Sequence, residues 1–347
     1  MSKDAKGVIL ARLFFGIFRV IAVIVLAGLT SWACMAFHFR LPAAGWIKII
    51  ATCVLAIFAS WVALSQFRAN WWQALTGYAF VFTGVLVWWS SITPPTDGNW
   101  APDVARQTTG TIDGDILTLS DVRGFQWSSG ADYTAVWAPQ NYDLSQLQTL
   151  DVFLSYWGVP QMAHFILSFG FEDGRYLAWS IEVRRKQDGA YSPVADTFKE
   201  DTLVFIAAQE TDVVGVRSVF RGEDVQLFRL DAGPDAARAL LEKYVEDANA
   251  LAAKPAWYNS ITTNCTTVVF RMSEALGRHQ DFDWRMIVNG YLPEYAYERG
   301  SVYTGISLDD LRQVASIGER ARSHGLGTGF SEAIRVGVPA PLQSAAH

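Results

Sequence analysis

The sequence predicts an α+β protein with three N-terminal transmembrane helices, followed by a domain that combines an antiparallel sheet with a cysteine-bearing helix. Three observations predict it. Long uncharged apolar runs fill the first 93 residues, short strand-like runs recur from about 111 to 230, and helical periodicity begins near 233. The charge is divided in the same way. Residues 1–93 carry seven Lys/Arg and one acid, Asp4, which leaves 21 basic and 33 acidic residues after them. An acidic domain of this kind argues against nucleic acid, whose phosphates it would repel.

The spans come first. Residues 20–37 contain no charge, residues 47–66 contain only Lys48, and residues 71–92 contain none. A hydrocarbon core of ~30 Å needs about 20 apolar residues per helix, so each run is long enough to cross. Trp46, Trp71, Trp72, Trp88 and Trp89 stand at the ends of the runs, where indole rings anchor at the interface. The first run lacks a small-residue cleavage site and two more runs follow it, so it reads as a retained span. With the N-terminus in the cytoplasm, Lys3, Lys6, Arg12, Arg19 and Arg68 lie inside and Arg40 and Lys48 outside. That bias places everything after the third span outside the cytoplasm. The expected division is therefore a membrane anchor over 1–93, an exit linker over 94–110 and an extracytoplasmic domain over 111–347.

In that domain, strands are expected at 150–156, 163–171, 176–184, 202–208, 212–219 and 224–230, each rich in β-branched and aromatic residues. The segment 172–175, EDGR, marks a hairpin turn. A helix is expected at 233–253, with Pro234 in its first turn and Ala237, Leu240, Leu241, Tyr244 and Val245 at helical spacing. A second opens at Asn264 or Cys265 and ends at Gly277, and a third covers 307–321 behind the cap-like Ser307.

Of the three cysteines, Cys34 and Cys53 lie in the apolar runs. Cys265 is alone in the soluble part, which rules out a disulfide within it. It sits where a polar Thr/Asn loop turns into an amphipathic helix. The N–H groups of a helix start lower a thiol's pKa and can hold an oxyanion, so the position suits a nucleophile; a small buried residue at a helix start is the plainer alternative. A thiolate needs a base. His38 lies at a membrane boundary, His347 ends the chain, and His279 and His324 lie in polar loops, whereas His164 lies inside an apolar strand that would hold it rigidly. Such a histidine is also often an ordinary core residue. Glu182, on the partner strand, can orient the imidazole. A three-residue turn with Gly174 left-handed sets 164 opposite 182, whereas a two-residue turn sets it opposite 183, and the sequence leaves both open. No Cys/His spacing suggests a metal site.

The segment from Leu150 to Lys186, with its AH…SF.F.DG…S.E.R hairpin, then 212–230, then WYNSITTNCTTVV at 257–269, resembles the Lnb-type bacterial lipoprotein N-acyltransferases. The resemblance spans roughly 120–275. It implies a circularly permuted NlpC-type, papain-like fold related to lecithin–retinol acyltransferase, in which the His strand precedes the Cys helix. It also implies Cys265 as nucleophile, His164 as base and Glu182 as the orienting acid. Tyr258, Asn259 and Asn264 fall in the matched loop as positioning or oxyanion residues. Arg184 and Arg217 match basic positions able to hold a phosphate or to form structural ion pairs. The implied reaction takes a fatty acyl chain from a membrane phospholipid, through a Cys265 thioester, to the N-terminal amine of a diacylglyceryl-cysteine lipoprotein. It needs no cofactor, and both partners lie at the periplasmic face of the bacterial inner membrane. The rival readings are a cell-wall peptidase or amidase using the same dyad, a phospholipase, and a membrane-anchored assembly protein whose Cys265 is structural.

Overall fold

The computed structural model describes residues 3–68, 71–276 and 281–341. Gly277, His279 and His347 lie outside them. The chain forms two units, one of residues up to Pro94 together with Phe198–Glu200, the other of the remainder.

The first unit is three helices, α1 (Lys3–Arg40), α2 (Gly45–Ser65) and α3 (Trp71–Ser91). Each contains a stretch long and apolar enough to span a membrane, the one in α1 being Leu13–Arg40. They meet through a narrow buried seam of Leu26, Ala59, Val62, Ala74 and Tyr78, and Thr30 Oγ1 lies 2.8 Å from the Tyr78 hydroxyl. Large apolar side chains such as Ile57 and Phe80 point outward, as lipid-facing residues must.

The second unit is built on a sheet of β1 (Gly110–Asp113), β2 (Ile116–Arg123), β5 (Trp137–Asp143), β6 (Leu147–Tyr156), β7 (Ala163–Phe171), β8 (Tyr176–Arg184), β9 (Thr202–Ala208) and β10 (Asp224–Arg229). Two short strands, β3 (Gln126–Trp127) and β4 (Tyr133–Thr134), form a separate ribbon. The order is β1-β2-β9-β8-β7-β6-β10, with β5 also on β2. Every pairing is antiparallel except a parallel junction at Arg123 and Ala208. Helices α4 (Pro193–Thr197), α5 (Glu210–Val213), α6 (Pro234–Ala253), α7 (Cys265–Ala275), α8 (Leu292–Glu298), α9 (Leu308–Ala315), α10 (Gly318–His324) and α11 (Phe330–Arg335) complete it.

Alternation along the strands divides the core between the two faces of the sheet. Leu167, Phe169, Trp179 and Phe205 join α6 and α7 on one face, where Trp179 and Tyr244 pack with ring centroids 5.2 Å apart. Phe153, Ile166, Ala178 and Ile206 join Val213, Ala321 and Ile334 on the other. The β7–β8 turn is the three-residue one. Phe171 N–H donates to Arg175 O at 2.9 Å, and Gly174 takes φ +82°, a conformation that favours glycine. The ladder runs from Gly170 opposite Tyr176 to Ile166 opposite Ser180, and two further steps set His164 across from Glu182.

Three expectations are corrected. Residues 212–219 are not a strand but part of α5 and a π-helical turn, Val216–Phe220. Val213, Val214 and Val216 do not alternate in and out. All are buried, Val213 and Val214 against the sheet and Val216 against Phe125 and Trp127. Within the expected exit linker, 94–110, part of the chain is packed on the second unit: Ala101 and Val104 are buried and the N–H groups of Ala101 and Thr108 donate to Arg185 and Phe205. The 307–321 helix is two helices, interrupted where Ile317 N–H donates to Val225 O and Ser316 bridges Gln226 at the β10 edge.

The last helix is fastened by a buried ion cluster. Arg335 Nε donates to Asp151 at 2.8 Å and its terminal nitrogens to Glu210 at 2.6 and 2.8 Å, while its guanidinium lies over the Tyr176 ring at 3.6 Å. Replacing one member strands the others without water, a loss of about 3–5 kcal/mol. Arg335→Leu is therefore expected to lower the thermal midpoint of the second unit by several degrees. An unchanged midpoint would show that the cluster contributes nothing net.

Candidate active site

The loop 258–264 is drawn tight by Asn259. Its Oδ1 accepts from Ile261 and Thr262 N–H at 3.0 and 2.9 Å, and its backbone pairs with Thr263 in both directions. The loop delivers Asn264 as the N-cap of α7. Asn264 Oδ1 accepts from Thr266 and Thr267 N–H, each at 2.9 Å, and Thr267 Oγ1 accepts from Asn264 N–H in a reciprocal capping box. The capping takes the N–H groups of Thr266 and Thr267 and not that of Cys265, the first residue of the helix. The sulfur thus sits at the positive end of the helix, with its own N–H beside it.

His164 comes from the start of β7. Its Nε2 lies 2.7 Å from Ser180 Oγ and 3.1 Å from Glu182 Oε1, and Ser180 Oγ donates to the same Glu182 oxygen at 2.7 Å. With Nε2 so engaged, Nδ1 is the nitrogen left for Cys265, and the ring and the thiol shift each other's pKa. Ser180 is the serine of the S.E.R stretch in the hairpin, but nothing there marks its role. Only the register identifies it, two residues before Glu182 on the same face.

Asn289 is the second residue that sequence reasoning missed. Its Oδ1 accepts from Ala163 N–H at 2.9 Å, and its Nδ2 donates to Ala163 O at 2.7 Å and to Thr266 Oγ1 at 2.9 Å. One amide thereby ties the residue before His164 to the residue after Cys265. Nδ2 lies 3.8 Å from the sulfur itself. Gly290 lets this segment come close, since a Cβ there would collide with Pro160 O.

The charges reinforce one another. Burial alone would raise the Cys265 pKa, but the hydrogen bond and charge of His164, with the Phe165 N–H and the Thr266 hydroxyl, outweigh it and bring the thiol below its ordinary value. Burial likewise opposes a charged His164. The Glu182 carboxylate overcomes this against the pull of Arg217, and the imidazole rises to about 9. Burial would push Glu182 up, yet His164, Arg217 and Arg123 hold it well below the usual carboxylate range. Lowering the thiol and raising the imidazole both act in favour of a thiolate beside an imidazolium.

Cys265, His164, Glu182, Tyr258, Asn264 and Arg217 all line one cleft of about 310 Å³. Arg217 bridges Glu182 at 3.6 Å and Glu223 at 3.3 Å. Two expected residues are placed elsewhere. Asn259 shapes the loop without lining the cleft. Arg184 spends its guanidinium on the carbonyls of Val104 and Ala105, at 3.2 and 2.6 Å, and on the Trp100 ring. Arg185, its neighbour beyond the end of β8, lines the cleft instead. Among the described residues no group of three or more His, Cys, Asp or Glu could hold a metal.

Residues 133–290 match the family model of the Lnb N-terminal periplasmic domain. Over that span the chain is similar to the periplasmic domain of the Lnb family. The matched span includes His164, Ser180, Glu182, Cys265 and Asn289. With the three apolar helices ahead of it, it describes a membrane protein with a periplasmic domain. No curated protein and no solved structure matches the chain.

Glu182→Gln removes the charge that holds His164 protonated, so the imidazole pKa falls and the thiolate loses its cation. The midpoint of Cys265 alkylation by iodoacetamide, followed by peptide mass, is expected to move upward toward ~8.5. The rate at pH 7 then drops about tenfold for each unit of that move. A pH profile identical to wild type would refute the coupling. Asn289→Ala is expected to raise the same midpoint while Cys265 remains at the helix start, because the tie between Ala163 and Thr266 is lost. Asn289→Asp, which keeps the acceptor for Ala163 N–H but sets a carboxylate oxygen where Nδ2 lies 3.8 Å from the sulfur, should raise the midpoint further still.

Proposed function

We propose that the protein is a thiol-dependent acyltransferase of the bacterial inner membrane. It moves a fatty acyl chain from a membrane phospholipid to the N-terminal amine of a diacylglyceryl-cysteine lipoprotein. The observation that carries this reading is the Cys265 thiol, lowered in pKa beside a raised His164, within an Lnb-type domain on a chain with three apolar helices.

In the first half-reaction the Cys265 thiolate attacks the ester carbonyl. The oxyanion is held by the Cys265 N–H at the mouth of α7. A sulfur–carbon bond forms, the carbon–oxygen bond breaks, and the departing lysophospholipid oxygen takes its proton from the His164 imidazolium. In the second half-reaction the lipoprotein amine attacks the thioester, His164 accepts the amine proton, and the thiolate leaves. The imidazolium–thiolate pair is restored. A thioester suits the task because it resists water better than it resists amines. Glu182 and Ser180 keep the ring oriented throughout, and the anchor confines the search for both lipid substrates to a plane.

The test is intact-mass analysis of the purified full-length protein in phospholipid nanodiscs. A gain of one fatty acyl group is expected, released by hydroxylamine and absent from Cys265→Ser. Lipidated peptide should then take up the group at its amine. Release of stem-peptide fragments from muropeptides, without acylation of Cys265, would favour the cell-wall peptidase instead. No mass gain and no cleavage would leave Cys265 structural.

A further inference from the structure

A second cavity, of about 190 Å³, lies in the apolar face of the same unit. Its walls are side chains such as Leu154, Phe165, Leu167, Leu240, Val269 and Leu292, and apolar surface predominates. The space is partly open to solvent, and an apolar guest that displaces water from such walls gains the free energy of burial.

Its position relative to the thiol is informative. Three separate elements cross from the polar cleft into this cavity over a few residues. In β7, His164 lines the cleft and Phe165, the next residue, lines the cavity. In α7, Cys265 lines the cleft while Val269 and Ser273 line the cavity. Their spacing of four places the three on one stripe of the helix, with Val269 about 6 Å along the axis from Cys265. In the following segment, Asn289 lines the cleft and Leu292 the cavity. The backbone N–H of Phe165 also helps to lower the Cys265 pKa. The thiol thus stands at the border between a polar cleft lined by Arg185, Arg217 and Glu223 and an apolar chamber that begins one helical turn away.

We infer that this chamber receives the hydrocarbon chain of the acyl group carried on Cys265. The inference rests on the acyltransferase reading and deepens it. The ester or amine end of the substrate stays in the polar cleft, and the methylenes run along the Val269–Ser273 stripe. The chamber then sets which chain lengths are accepted. Each methylene moved from water into it favours transfer by up to about fourfold, the equivalent of about 0.8 kcal/mol.

The test uses the full-length protein in lipid-free detergent below saturating donor, with p-nitrophenyl esters from acetyl to decanoyl. Acylation of Cys265 is read by intact mass. Wild type is expected to acylate faster with each added methylene until the chamber is full. Ser273→Phe, which fills it, should lower the decanoyl-to-acetyl rate ratio by tenfold or more. Leu240→Ala, which enlarges it, should move the optimum to longer chains. Because the two variants change the volume in opposite directions, poor folding of either one cannot produce both results. Acylation with the same chain-length profile in all three proteins would overturn the chamber assignment while leaving the thiol chemistry intact. Absence of acylation from every ester in wild type would overturn the acyltransferase reading and this inference with it.

Discussion

The pairing of β7 with β8 is the constraint on which the site depends. A strand shows a given face only at every second residue, so slipping this hairpin by one place would exchange Glu182 for Val183 opposite His164. Gly174 prevents the slip. Its left-handed conformation closes a three-residue loop, and Phe171 and Arg175 lock the end of the ladder beside it. From there the register carries Ser180 and Glu182 to the Nε2 side of the imidazole and leaves the other nitrogen for sulfur. Electrostatics follow from this geometry, since without Glu182 nearby burial would leave His164 neutral.

The cysteine is set by local rules of a different kind. Asn259 closes the loop, Asn264 caps the helix, and Cys265 is the first helical residue. Each step uses short-range hydrogen bonds that form whatever the sheet does. What joins the two halves is Asn289. It binds the backbone of β7 as another strand would and reaches the first turn of α7 with the same amide. A rigid sheet edge and a rigid helix mouth brought together by one side chain make a pair of reacting groups with little freedom to drift, which is what pre-organisation requires.

The parts legible in the sequence are those with a local signature. Apolar runs with at most one charge announced α1, α2 and α3, alternation and the EDGR turn announced β7 and β8, and the polar loop before an amphipathic run announced α7. Asn289 had no such signature, because it acts on residues 126 and 23 positions away from within an irregular stretch. Arg184 and Arg185 are alike in the sequence. The strand ends between them, and only the fold shows that the first is consumed by the carbonyls of Val104 and Ala105. The stretch 212–219 misled because a run of valines serves equally as a strand or as a buried helical face. Asp212, ion-paired with Arg123 at 2.8 Å and accepting from Trp127 Nε1 at 2.7 Å, belongs to a cluster visible only in three dimensions.

Arg217 explains why so many charges can share this cleft. Glu182 is half-buried with His164 on one side and Arg217 on the other, while Arg217 also faces Glu223, whose carboxylate accepts from Ser155 at 2.5 Å. Signs alternate along the row from thiolate to imidazolium, carboxylate, guanidinium and carboxylate, so each ion has an opposite neighbour and none is buried alone. The same alternation limits the strength of any one pair. Arg217 stabilises Glu182 as an anion but pulls the His164 pKa down, against the carboxylate. An imidazole held too tightly as a cation would not surrender its proton to a leaving oxygen, and one held too weakly would not ionise the thiol. Arg217 therefore acts as a counterweight to Glu182, opposing the charge on His164 while supporting that on the carboxylate.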